Sequence, residues 1–105
     1  MDARIFGVNA MVADLEPLLH RLTADTIELA IVQAAGLWPV AAQPGRLEEV
    51  FLALAVDACD AMASGGTLRI ETANLQLDAA HAARHPSVAP GDYVMIAVTD
   101  TRRAL

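Results

Sequence analysis

The chain has 105 residues, carries a net charge of −6 and is 55% apolar, which describes one small domain with a single hydrophobic core. This composition excludes a disordered or fibrous chain, and the acidic charge argues against non-specific binding to nucleic acid or to an anionic membrane. One cysteine excludes an internal disulfide and, with scattered histidines, makes no zinc framework. Because the sequence contains neither an uninterrupted apolar stretch of membrane-spanning length nor a secretory signal, we expect a soluble, cytoplasmic protein.

The first predicted element is a helix over residues 9–22, where apolar residues recur at helical spacing. Asn9 is the candidate N-cap, since its side-chain oxygen can accept hydrogen bonds from the free N–H groups of the first turn. Pro17 lies inside the pattern and has no N–H, so it should kink the helix or begin a new turn. The apolar positions are Met11, Leu15, Leu18, Leu19 and Leu22.

A strand is predicted next, over residues 26–32, because apolar residues occupy every second position there. Residues 33–45 contain prolines and a glycine and are predicted as a loop. Pro44 has the fixed φ that suits a first helical turn, and the second helix should run to about Met62. The residues predicted to form its buried face are Leu47, Val50, Phe51, Leu54 and Ala58.

Two further strands are indicated by alternating apolar residues at 68–72 and 94–98. Residues 78–91 between them are rich in alanine and polar residues, which is consistent with a mobile excursion or a short helix. The order helix, strand, helix, strand, strand predicts an α+β sandwich with its helices on one face of the sheet.

The second helix carries the first candidate site. Ala53, Asp57 and Asp60 are spaced so that they share one helix face, separate from the predicted core stripe. Two neighbouring carboxylates are costly unless water, hydrogen bonds or a cation compensates them, and Mg²⁺ with nucleotide phosphates would supply that charge. The alternative is that both carboxylates simply face solvent. Cys59 between them should be a poor nucleophile, because nearby negative charge disfavours its thiolate.

The second candidate is Asp100, which directly follows a predicted buried strand. A carboxylate at a strand end can contact a ligand at the edge of the sheet. The alternative is a cap or turn residue, which is the usual role of aspartate in this position.

The chain contains, in order, the segments PGRLEEVFLALAVDACDAM, GGTLRIETANLQLD and AARHPSVAPGDYVMIAVTDT. Together they resemble the ATP-binding domain of sensor histidine kinases, in the GHKL superfamily, over about residues 8–101. The resemblance implies that residues 1–105 form a single two-layer α/β sandwich of the Bergerat type, which holds ATP and Mg²⁺ between the long helix and a lid. In that family the γ-phosphate then passes to a histidine on a separate helical domain.

The resemblance also implies which residues bind nucleotide, and it assigns no catalytic residue. Asp57 stands at the place of the family's Mg²⁺-binding asparagine, and Asp60 matches an aspartate of this subgroup. Asp100 matches the aspartate that accepts a hydrogen bond from the adenine amino group, and Thr101 matches its neighbour.

Several positions depart from the family pattern. Ala53 replaces a polar residue, and Asp57 places an extra negative charge beside the phosphates. Arg102 and Ala104 replace glycines that allow a tight turn near the base. Arg102 and Arg103 are expected to form a solvated tail, the alternative being contact with a phosphate. Because no lid or later strands follow in the sequence, we expect an incomplete domain in which ATP binding is weak or lost.

Two functions remain open at this point. The first is a degenerate, non-catalytic module that regulates two-component signalling through protein contacts. The second is an ATP- and Mg²⁺-binding part of a sensor histidine kinase that phosphorylates a histidine on another domain. The high apolar content in an incomplete sheet predicts a partner, either a second copy of the chain or another signalling protein.

Overall fold

The computed structural model of the protein describes residues 3–84 and 87–102. It is a mixed α+β fold, in agreement with the predicted class. The elements in chain order are β1 (Arg4–Phe6), α1 (Val8–Thr23), β2 (Ile27–Val32), β3 (Val40–Ala42), α2 (Pro44–Ala61), β4 (Gly66–Leu77), α3 (Ala79–Arg84) and β5 (Gly91–Arg102).

The main sheet has three strands in the order β2-β4-β5, with β4 parallel to β2 and antiparallel to β5. Every second residue of β4, at Leu68, Ile70 and Thr72, is buried on one face. Helices α1 and α2 cover that face, and their buried residues join those of the strands in one core. The predicted strands are therefore confirmed, although β4 and β5 extend well beyond the residues whose alternation revealed them.

A second, two-stranded sheet was not predicted from the sequence. β1 pairs antiparallel with β3, which lies inside the segment predicted as a loop. Strands of three residues are too short to show a period of two, and only the pairing of two distant segments stabilises them.

Helix α1 agrees with the prediction in extent but not in detail. Its N-cap is Gly7, and the helix continues through Pro17 without interruption. Pro17 has no N–H to donate to the carbonyl of Ala13. The helix tolerates this loss because Ala13 is exposed, so water can donate to that carbonyl instead. The expected cap at Asn9 is wrong, and the helix does not begin anew at Pro17; the expected kink at this residue stays a prediction.

Asn9 instead fixes the connection between β2 and β3. Its amide donates to the Ala34 carbonyl at 2.9 Å and accepts from the Thr72 hydroxyl at 2.7 Å. The Thr72 hydroxyl in turn accepts from the Ala34 N–H at 3.1 Å. Asn74 repeats the arrangement further on by accepting from the Trp38 N–H at 2.9 Å. The backbone of the β2–β3 connection does not pair with a strand, and these side chains supply hydrogen bonds for it instead.

Helix α2 begins with Pro44 in its first turn and ends near Met62, as predicted. Its buried face differs from the prediction: Phe51, Ala55 and Ala58 are buried, whereas Val50 is 54% and Leu54 is 48% exposed. The apolar residues of α2 span more of its circumference than the sheet can cover, so the pattern alone could not identify the contacting part.

The segment after β4 contains the short helix α3, which is one of the two structures predicted for it. Asp78 begins this helix by accepting a hydrogen bond from the His81 N–H at 2.8 Å. In the part of the chain that the structure describes, no helix has both the length and the apolarity needed to cross a bilayer.

Candidate functional site

The predicted acidic face exists on the C-terminal half of α2. Ala53, Asp57 and Asp60 are all exposed, on the side of the helix away from the Phe51 core contact. The last turn of α2 contains no basic residue. Since the C-terminal end of a helix carries partial negative charge, both carboxylates lie where a cation would be electrostatically favoured.

Asp100 lies within β5 rather than after it. It pairs in register with Leu68 of β4, so its side chain is on the helix-covered face of the sheet, where it is half-buried. The strand continues to Arg102, so the alternative in which Asp100 forms a turn after the strand is wrong, while its predicted contact with a nucleotide stays a prediction.

Gly66 brings the end of α2 and the end of β5 together. A Cβ atom at this position would overlap the carbonyl oxygen of Thr101 and lie 2.9 Å from the Met62 sulfur. Its φ of 149° is also one that residues with side chains rarely adopt. Because Met62 follows α2 directly, this contact places the acidic end of α2 at the same end of the sheet as Asp100.

Thr101 faces the opposite side of the sheet from Asp100, since consecutive strand residues point in opposite directions. It lines an open, polar groove of about 350 Å³ together with residues that include Asp25, Glu28 and Thr67. The side chains of Asp100 and Thr101 therefore point to opposite faces of the sheet, and the binding of one nucleotide by both residues stays a prediction.

The carboxylates do not form a metal site by themselves. Among the described residues there is no group of three or more His, Cys, Asp or Glu side chains arranged to hold a metal ion. Mg²⁺ often binds through only one or two carboxylates when phosphates supply further ligands, so the role of Asp57 as a Mg²⁺ ligand stays a prediction.

Cys59 lies between the acidic face and the core. Burial raises the pKa of its thiol, and the negative charge of Asp60 raises that pKa further. The raised pKa agrees with the expectation that the thiolate of Cys59 is disfavoured, and its poor nucleophilicity stays a prediction. Arg103, Ala104 and the side chain of Arg102, which belong to the predicted tail, lie outside the described residues.

An apolar surface lies beside the acidic face and was not predicted. Val50 and Leu54 are exposed on the same flank of α2, and Leu47 continues this row one turn earlier. We call these residues the α2 stripe. Leu47, Val50 and Arg46 line an almost wholly apolar groove of about 290 Å³ at its N-terminal end. The sequence did signal these apolar positions, but their pattern predicted a place in the core.

Comparison with known proteins finds no protein-family model that matches the chain, but it does find a curated relative. Over 97 residues the chain is 38% identical to Sensor kinase CckA of Brucella abortus (strain 2308). This chain is related to a region of a sensor kinase. The match covers 92% of the chain but only 10% of that relative's length, so it includes α1, α2 and most of the sheet while leaving most of the relative unmatched.

Proposed function

We propose that this sensor-kinase-related chain acts in two-component signalling as a degenerate ATPase-like module that regulates through protein contacts and does not itself transfer phosphate. The observation that carries the proposal is the exposed α2 stripe, in which Val50 and Leu54 leave about half of their surfaces in contact with water. Contiguous aliphatic side chains exposed beside charged residues are typical of protein interaction surfaces.

The chemistry of the acidic face supports the same proposal. Phosphoryl transfer requires positioned cations and hydrogen-bond donors around the phosphate oxygens. The exposed residues at the candidate positions are Ala53, which offers only a methyl group, and Asp57 and Asp60, which are acceptors with negative charge. Such a face repels a bare triphosphate and attracts cationic groups instead.

A second candidate is ATP binding with Mg²⁺, supported by the convergence of the α2 carboxylates and Asp100 at one end of the sheet. In that case Asp57 would hold Mg²⁺ bound to the phosphates, and Asp100 would accept a hydrogen bond from the adenine amino group. The metal would neutralise the repulsion described above.

Calorimetric titration with ATP, with and without Mg²⁺, distinguishes the two candidates. The regulatory module is expected to show no binding heat at millimolar nucleotide and no transfer of the γ-phosphate to a histidine-containing acceptor domain. Micromolar binding that requires Mg²⁺ and is abolished by both Asp100→Asn and Asp57→Ala would overturn the first candidate. Asp14→Asn, at an exposed carboxylate on α1, is the matched control for loss of one negative charge.

A further inference from the structure

Strand β4 inverts its pattern of apolar and polar residues half-way along its length. Up to Thr72 its apolar residues point inward, toward α1 and α2, and Arg69 and Glu71 point outward. After Thr72 the inward positions hold the polar residues Asn74 and Gln76, and the outward positions hold alanine and leucine. A sheet face in water carries polar residues, so the outward half of β4 has the pattern of a face that packs against another element.

This half of β4 forms an apolar strip with the beginning of β5. Leu75 pairs with Tyr93 and Ala73 pairs with Met95, so these four side chains lie together on the outer face of the sheet. Val32, the last residue of β2, lies on the same face. We give the name outer strip to six residues: Val32, Ala73, Leu75, Leu77, Tyr93 and Met95.

The large side chains of the outer strip are exposed to water. Val32 is 45% exposed, Leu75 is 41% exposed, and Tyr93 and Met95 are each 37% exposed. The hydroxyl of Tyr93 already has a partner, because it donates to the Ala89 carbonyl at 2.6 Å. Adjacent exposed aliphatic and aromatic side chains with no charge among them are typical of a protein-binding surface.

The size of the outer strip fits one helix better than a second copy of the chain. Its two main strands lie about 4.8 Å apart, and from Glu71 to Leu77 it is about seven residues long at about 3.3 Å each. The strip is therefore about 23 Å long and about 10 Å wide, which gives about 230 Å². An α-helix of about 15 residues has the same length and width, whereas a stable dimer needs about 800 Å² from each copy.

We propose that an amphipathic helix of a partner protein docks on the outer strip and packs its apolar face against Leu75, Tyr93 and Met95. This inference deepens the proposed function, on which it rests, by naming the kind of partner. Because α1 and α2 cover the inner face of the same sheet, the docked helix would add a third layer and remove the exposed apolar side chains from water.

The charges near the outer strip indicate the polar residues of the partner helix. At one end of the strip, Arg69 is neutralised by Glu71 at 2.6 Å. At the other end, the exposed carboxylates of Asp78 and Asp92 outnumber the one arginine of α3, Arg84. The chain as a whole carries a charge of −6, which makes two copies repel each other. The partner helix should therefore carry lysine or arginine beside its apolar face.

A synthetic peptide of about 15 residues tests the inference, with leucine on one helical face and lysine on the remaining positions. Its binding to the whole 105-residue chain is measured by fluorescence anisotropy, and the contacted amides are identified from chemical-shift changes in NMR spectra. We expect the shifts to change at residues 73–77 and 93–97 and to stay constant along α1 and α2. Two control peptides should bind at least about tenfold more weakly: one with the same residues in an order that forms no apolar face, and one with glutamate in place of lysine.

Substitution of the outer strip provides the second arm. The double variant Leu75→Ser, Met95→Ser should weaken binding of the leucine–lysine peptide at least about tenfold, because both side chains lose apolar contact with the docked helix. Leu18→Ser on α1 is the matched control, since Leu18 is 39% exposed, almost the same as Leu75, but belongs to the helix layer on the inner face. It should leave the affinity unchanged.

Three results would overturn the inference: no binding of the leucine–lysine peptide, equal binding of either control peptide, or shift changes on α2 in place of β4 and β5. A concentration-dependent dimer that changes the shifts of residues 73–77 without peptide would assign the outer strip to a second copy instead. Failure of the proposed function is distinguishable, because Mg²⁺-dependent ATP binding together with normal peptide binding would overturn only the non-catalytic proposal.

Discussion

Substitution of Gly66 by alanine should destabilise the protein more than the same substitution at Gly7, Gly36 or Gly91, where a new Cβ would meet no atom within 4 Å. At Gly66 the Cβ would overlap the Thr101 carbonyl oxygen and crowd the Met62 sulfur at 2.9 Å, and one of these groups is backbone that cannot rotate away. The φ of 149° adds a conformational cost of about 1–3 kcal/mol for a residue with a side chain. Displacing the end of β5 to relieve the overlap would weaken a ladder hydrogen bond, worth about 1 kcal/mol.

The expected loss in the free energy of unfolding is therefore about 3 kcal/mol. For a domain of this size that corresponds to a fall in Tm of about 12–24 °C. The assay is urea and thermal unfolding followed by circular dichroism. Because Gly66 connects the end of α2 to the end of β5, the amide signals of Asp100 and its neighbours should shift in the same variant.

Gly36→Ala is the control for conformational cost alone. Gly36 also has a positive φ, of 68°, but a Cβ there would meet no atom within 4 Å. This variant should lose only about 1 kcal/mol. If Gly66→Ala proves no less stable than Gly36→Ala, the close approach of α2 and β5 at Gly66 is wrong, and with it the placement of the acidic residues at one end of the sheet.

The packing and the charges support three other predictions. The Cys59 thiol should react slowly with a disulfide reagent near neutral pH, and Asp60→Asn should accelerate the reaction by lowering the raised pKa of the thiol; an unchanged rate–pH profile would contradict the electrostatic contribution. Asn9→Ala should cost about 1–3 kcal/mol in urea unfolding, because it leaves polar groups of the β2–β3 connection without partners, and a neutral result would mean that water replaces them. Phe51→Ala should lower the free energy of unfolding by about 3–5 kcal/mol because this side chain is buried, whereas Val50→Ser should change it by no more than about 1 kcal/mol because Val50 is 54% exposed. Equal losses would show that Val50 is covered in the isolated chain.

The carboxylates of α2 were located correctly on their helix, whereas Asp100 was expected after β5 and lies within it. Helical spacing correctly placed Asp57 and Asp60 on one exposed face. The same reasoning could not show that Asp100 and Thr101 point to opposite sides of the sheet, because the strand was expected to end before them. Pairing with β4 extends β5 to Arg102, and that pairing is a long-range interaction with no local signal.

Local patterns were sufficient to predict the extent of α1, strand β2 and the inner residues of β4 and β5. Each of these elements repeats its apolar positions often enough to reveal a helical or strand period. They also correctly placed Pro44 at the start of α2. Long-range contacts were required for the pairing of β1 with β3 and for the role of Asn9, which acts through residues far along the chain.

The exposure of Val50 and Leu54 shows most clearly what the sequence pattern cannot predict. Their apolar character is a property of the residues, but whether they are covered depends on how α2 is rotated on the sheet and on which strand lies at its edge. A helix with a broad apolar face can satisfy the same periodicity in several rotations. Only the assembled sheet, with β5 as its last strand among the described residues, selects the rotation that buries Phe51 and leaves Val50 and Leu54 about half exposed to water.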